Sequence, residues 1–168
     1  QANGEDGFTS TSTTDNTGLT LVDEADTIHN VSTVATLIDS SVNRPASTTL
    51  GSVNNLFDAN LGSISDFRTG SNNSGAGSFI TFDFKSGNQV NLTGVELAAR
   101  QDQYYTRAKG TVIQGSNDNT SWTTLTSPAA STPEWQTFPV ARAAPYRYIR
   151  IYDGGTMFGN VSEGRLHG

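Results

Sequence analysis

Tyr146-Arg-Tyr-Ile-Arg-Ile-Tyr152 is the stretch whose reading decides the fold class. Successive side chains of a strand point to opposite sides of a sheet. As a strand, this run puts Tyr146, Tyr148, Arg150 and Tyr152 on one face and Arg147, Ile149 and Ile151 on the other. The expectation is that Ile149 and Ile151 enter a core while the tyrosines and Arg150 cover the outer face. A helix would need apolar residues at i, i+3, i+4 and i+7, and nowhere in the chain does such a stripe persist for three turns.

Working outward, similar short runs recur with turn residues between them. Phe79-Ile-Thr-Phe-Asp-Phe84 alternates and is followed by the turn Ser86-Gly87-Asn88. Residues 90–99 (VNLTGVELAA) come next, then Thr111-Val-Ile-Gln114 ahead of the turn Gly115-Ser-Asn-Asp-Asn119. With 122–125, 135–140 and 160–166 these make at least seven strands, the pattern of a β-sandwich. The fold class is therefore all-β, two packed antiparallel sheets. Residues 19–38 return apolar side chains at irregular intervals, enough for one or two strands on the edge of the module, with a short helical turn near 22–25.

The 168 residues hold 10 Lys plus Arg, 16 Asp plus Glu and no Cys. Glu5, Asp6, Asp15, Asp23, Glu24 and Asp26 precede any base, so the first 28 residues carry the whole formal charge of -6. This splits the chain into an acidic, Ser/Thr-rich lead or linker, 1–28, its later part packed on the module or wholly linker, and a charge-balanced module, 29–168. A neutral module without a basic face is a poor match for nucleic acid, whose affinity comes from clustered Lys and Arg. No window approaches the ~18 uninterrupted apolar residues of a membrane-spanning helix. Without Cys, a disulfide framework, a thiolate zinc site and a cysteine nucleophile are excluded. A surface rich in Ser, Thr and Asn favours a secreted, extracellular or bacterial cell-surface protein. The start at Gln1 reads as a mature chain or a monomeric module cut from a larger one.

Five segments, in order, carry a family resemblance: Asn55-Leu-Phe-Asp58-Ala-Asn60; Ala99-Arg100-Gln101-Asp102; Arg107 leading into Gln114-Gly-Ser-Asn117-Asp-Asn-Thr-Ser-Trp122; Tyr146-Arg-Tyr-Ile-Arg150; and Asn160-Val-Ser-Glu163-Gly-Arg-Leu166-His-Gly168. Together they resemble the discoidin, or coagulation-factor type C (F5/8 type C), domain, which in bacteria is usually the family 32 carbohydrate-binding module. The resemblance spans about residue 34 to 168. Ala59, Phe67, Gly164 and His167 depart from the family's usual residues.

The resemblance implies a jelly-roll, galactose-binding-like β-sandwich that carries a structural Ca2+ and has no catalytic residues. It implies calcium ligands from the carbonyls of Asn55, Asn60, Ser63 and Ser162 and the side chains of Asp58, Glu163 and Ser63, with Ser65 the alternative to Ser63. Calcium takes six to eight oxygens and tolerates irregular loops; the competing reading is an Asp-Asn turn capped by its own backbone hydrogen bonds. The resemblance also implies a sugar site on loops at one end of the sandwich, where Arg68, Arg100, Tyr104, Tyr105, Arg107 and Phe158 have suitable chemistry. Arginine binds adjacent hydroxyls through its forked donors, and pyranose C–H faces stack on aromatic rings. Each has a structural alternative: Arg100 paired with Asp102, Tyr105 in the core, Phe158 plugging the barrel end.

The expected activity is thus a non-catalytic carbohydrate-binding module that targets an attached enzyme or surface protein to a glycan. A neutral sugar is expected and a uronate is the runner-up. The alternative is a cell-surface adhesion or protein-interaction domain. An enzyme is not expected: His29 and His167 are the only histidines, and carboxylate pairs such as Asp58 with Glu163 arise by chance in any domain with ten acids. The Gly-rich stretch 70–77 lacks the GxxxxGK pattern of a phosphate cradle.

Overall fold

Strand β10, Tyr148–Asp153, is the spine of one sheet. It pairs antiparallel with Ser78–Asp83 (β5) and Thr111–Ser116 (β7), so that Ile151 lies opposite Ile80 and Ile113, and Ile149 opposite Phe82. All five of these side chains are buried on one face, as the alternation requires, and Tyr148, Arg150 and Tyr152 lie half-buried on the other. The computed structural model describes residues 20–22, 28–30, 36–40, 60–66, 77–84, 86, 89–140, 144–153 and 160–167.

The remaining strands are β1 (Thr20–Val22), β2 (Ile28–Asn30), β3 (Thr36–Ser40), β4 (Ser65–Asp66), β6 (Gly94–Ala98), β8 (Thr123–Thr124), β9 (Trp135–Pro139), β11 (Asn160–Val161) and β12 (Glu163–His167). A 3-10 helix, Tyr105–Ala108, links β6 to β7. One sheet runs β3-β5-β10-β7-β8 and the other β2-β1-β12-β6-β9, while β4 and β11 form a separate two-stranded ribbon. The pairings are antiparallel except β1 with β12, which is parallel. The run 160–166, expected as one strand, is broken at Ser162, where the chain passes from β11 to β12. The suggested helical turn near 22–25 lies, beyond Val22, outside the described residues.

The inner faces meet in one cluster that includes Ile80, Phe82, Phe84, Val95, Leu97, Ile113, Ile149, Ile151 and Leu166. Each such side chain contributes roughly 1.5–3 kcal/mol by leaving water. Tyr146 packs against this cluster, and its ring lies where a Cβ on Gly115 would come within 2.5 Å. Glycine is needed there for close approach.

Two polar fastenings hold the far end of β10. The Asn117 side chain accepts the Arg147 N–H at 2.9 Å and donates to the Pro145 carbonyl at 3.1 Å. Arg147 meets both oxygens of Asp83 at 2.7 and 2.8 Å, a bidentate pair. The Gly115–Asn119 turn is closed by the Asp118 carboxylate, which accepts the N–H groups of Thr120 and Ser121 at 2.8 and 2.7 Å, and Asn119 adopts φ 57°. Those amide donors hold the Asp118 carboxyl well below the usual carboxylate range. Much of the motif 114–122 is thereby explained as architecture. Among the described residues no helix is long and apolar enough to cross a membrane.

Candidate functional site

The β4–β11 ribbon brings an early loop against the C-terminal strand. Its register, Asp66 opposite Asn160 and Ser65 opposite Val161, leaves Ser162 beside the turn at residues 60–63. The Ser162 hydroxyl donates to the Leu61 carbonyl at 3.2 Å, and its backbone N–H donates to the Ala98 carbonyl at 2.8 Å. Ala98 ends β6 and opens the loop that carries Arg100. Two distant stretches thus converge on one residue, and a cavity of about 220 Å³ lies between them, lined by Gly62, Ile64, Gln101 and Asp102.

The loop after β6 is fixed by its own charges. Arg100 is 8% exposed and reaches both carboxylate oxygens of Asp102, one of them from Nε at 3.0 Å. Asp102 also accepts the Tyr104 N–H at 3.0 Å. The Arg100 guanidinium, then the Tyr104 N–H and the Arg107 charge, hold the Asp102 carboxyl below its usual range. The Tyr104 ring lies 5.0 Å from the Arg100 guanidinium and 4.2 Å from that of Arg107, cation–π distances that fix it in place. It is 41% exposed, the exposed large hydrophobic side chain among the described residues. Gln101 braces the loop by donating to the carbonyls of Ala99 and Pro133, both at 2.9 Å.

Of the expected sugar contacts, Arg100, Tyr104 and Arg107 are gathered on this loop, with Arg100 buried in its pair with Asp102. Tyr105 is half-buried against the core cluster. Arg68 and Phe158 lie outside the described residues. Gln101 and Asp102 line the cavity although the site reading omitted them. The signal was there: a polar run directly after the buried Ala98-Ala99 marks a strand end turning to solvent.

Of the expected calcium ligands, Asn60, Ser63, Ser162 and Glu163 are described, and Ser162 meets the 60–63 turn through the Leu61 carbonyl; Asn55 and Asp58 lie outside the described residues. The 60–63 turn is closed locally: the Asn60 side chain accepts the Gly62 N–H at 2.9 Å, and the Asn60 carbonyl accepts the Ser63 N–H at 3.0 Å and its hydroxyl at 2.8 Å. Beside it, Glu163 is 3% exposed and Ser162 is fully buried. This half of the donor set is all oxygen, one carboxylate among carbonyls and hydroxyls, a chemistry that fits calcium. Among the described residues, no three of His, Cys, Asp and Glu gather to hold a metal.

In solved structures the chain is similar to the CBM62 of Clostridium thermocellum Xyl5A, with 22% identity over 79% of this chain and 90% of that one, at a TM-score of 0.57. It is similar to CpGH89CBM32-5 from Clostridium perfringens, solved with GalNAc-β-1,3-galactose, at 11% identity, 80% and 94% coverage and a TM-score of 0.59. A third is the family 32 module of C. perfringens NanJ, solved with galactose, at 10% identity, 71% and 86% coverage and a TM-score of 0.56. No curated protein sequence matches. These similarities establish the discoidin-like β-sandwich fold of carbohydrate-binding modules. The sequence pattern of the F5/8 type C domain matches residues 38–162, and the chain belongs to that family.

Proposed function

We propose that this protein is a non-catalytic carbohydrate-binding module whose ligand sits on the loop end, against Tyr104 and the cavity lined by Gly62, Ile64, Gln101 and Asp102. The observation that carries this reading is the exposed Tyr104 ring, held by two guanidinium groups on the same loop as Gln101 and Asp102, which line a small cavity. A pyranose needs such a surface: a ring for its C–H face and hydrogen-bonding groups for its hydroxyls. Asp102 and the Gln101 amide supply the latter. Because Arg100 is paired with Asp102, its fork is not open to an anion, which favours a neutral sugar, and two of the similar structures hold galactose or a galactoside. Tyr104 stands without other exposed large hydrophobic side chains among the described residues, which favours sugar over an apolar protein or lipid surface.

A calcium ion held by Asp58, Glu163 and the oxygens of Asn55, Asn60, Ser63 and Ser162 would reinforce the Ser162–Leu61 fastening, a structural role. The acidic lead, its later part joined to the module through β1 and β2, would connect the module to a parent enzyme or surface protein outside the cell. Limited proteolysis that leaves residues 1–16 intact would contradict its role as a linker. The function itself is tested on an array of neutral and acidic glycans. Galactosides are expected to bind, and Tyr104→Ala should weaken retention about tenfold, roughly 1.4 kcal/mol, with an unchanged melting temperature. Full retention by Tyr104→Ala, or no glycan bound by the wild type, would overturn the reading.

A further inference from the structure

The outer face of the β5-β10-β7 sheet carries a second constellation, in the other sheet from β6 and its loop and independent of the reading given to that loop. We propose that Arg150, with the rings of Trp122, Tyr152 and Phe79, is a second glycan site that binds the carboxylate of a hexuronate. The guanidinium carbon lies 4.1 Å from the Trp122 ring centre, 4.5 Å from that of Tyr152 and 5.4 Å from that of Phe79. Its Nε donates to the Gln114 amide oxygen at 2.7 Å, and the Gln114 amide nitrogen donates to the Thr124 hydroxyl at 2.9 Å. This relay across β10, β7 and β8 fixes the direction of the fork.

The two terminal amino groups of Arg150 have no acceptor among the described residues, and no described Asp or Glu pairs with it. Three other arginines differ: Arg147 is held by Asp83, Arg100 by Asp102, and Arg165 lies 3.6 Å from Glu96. The protonation equilibria follow the same division, since Asp83 raises the pKa of Arg147 while burial lowers that of Arg150. A cation partly removed from water without a counter-charge is costly. Aromatic faces recover some of that cost.

The complement of this site is an anion with two oxygens for the fork, attached to a flat C–H face for the half-buried Trp122 ring. Carboxylates match paired guanidinium donors, and a hexuronate joins a carboxylate to a pyranose. A neutral hexose would leave the charge uncompensated, and a bare anion would not use the ring.

The chain has two Trp, so Trp135→Phe leaves Trp122 as the sole indole reporter. Titrating this variant with trigalacturonate at low salt should change Trp122 emission saturably. Neutral galactotriose and sodium acetate should each act at least about tenfold more weakly, a tenfold ratio being one logarithmic unit of affinity. Arg150→Gln should abolish the response. Arg150→Lys, which keeps the charge and loses the fork, should weaken it severalfold with the melting temperature retained, so misfolding does not explain the loss. Tyr104→Ala should leave the response unchanged, which separates this site from the loop site. Equal responses to trigalacturonate and galactotriose, an equal response to acetate, no response at all, or a response that survives in Arg150→Lys at full strength would each overturn the proposal.

Discussion

The loop end and the outer face of the β10 sheet both hold an arginine against aromatic rings, yet they treat the cation in opposite ways. At the loop end, Arg100 finds Asp102 two residues along, and the neutralised pair holds Tyr104 as a support. On the sheet, Arg150 is surrounded by rings from three chain segments and has one amide, Gln114, as its polar partner among the described residues. A neutral rigid rim suits the weak, shallow capture of uncharged sugar. A directed, uncompensated fork suits an anion. The lesson is that an arginine's partner, more than its presence, decides which ligand a surface selects.

The sharpest way to break the comparison is to remove what both regions share. Phe82 is buried at the core between them in the fold. Phe82→Ala should cost about 3–5 kcal/mol, as large-to-small core changes do, seen as a lower urea midpoint with both binding responses reduced together. Loss of one response alone would mean that the regions do not depend on a common core.

Calcium separates them next. If the ion ties the 60–63 turn to Ser162 and Glu163, removing it with EDTA from protein previously at about 100 times its dissociation constant should cost about 2.7 kcal/mol and lower the melting temperature by roughly 5–10 °C. Galactoside retention should fall, while the Trp122 response to trigalacturonate at working temperature stays. A melting curve indifferent to EDTA, with no metal detected beforehand, would assign the fastening to the hydrogen bonds of the turn alone.

The smallest effect is acid. Asp102 has a depressed folded-state pKa, so its stabilising contribution is present above the ordinary carboxylate value near 4 and is lost as pH falls through the lower folded value. Galactoside binding should be flat from pH 7 to about 5 and decline below about 4. Asp102→Asn should remove that acid limb. Arg150 remains charged throughout, so Asp102→Asn should leave the Trp122 response to trigalacturonate unchanged at every pH, and a change in it would contradict the division of roles.

How much of this was legible in the sequence depends on the distance over which partners meet. Within 148–152 the two faces were legible because alternation is local, and Ile149 and Ile151 entered the core as its period required; Tyr146, expected on the outer face, precedes the strand and packs against the core. The pairing of Arg100 with Asp102, two residues apart on a loop, was visible as an alternative. Gly115 was read as part of a turn; its contact with the Tyr146 ring depends on β7 lying beside the chain that enters β10, which no local pattern states. Arg150 was read as outer-face cover for the same reason: Gln114, Trp122 and Phe79 reach it only through strand order. The strand partners on either side of Ser162, β4 and β6, were equally hidden, although the five-residue spacing of Val161 and Leu166, which strict alternation would put on opposite faces, marks the run as irregular.

The central claim is that sugar binds on the loop end, and the most direct measurement is the map of backbone amide shifts on titration with galactose in the presence of calcium. The account predicts saturable shifts clustered at Gly62, Gln101, Asp102 and Tyr104, with the amides of Gln114 and Arg150 unmoved. Saturable shifts that spare the loop residues, or a spectrum unchanged by any glycan that the array retains, would contradict it.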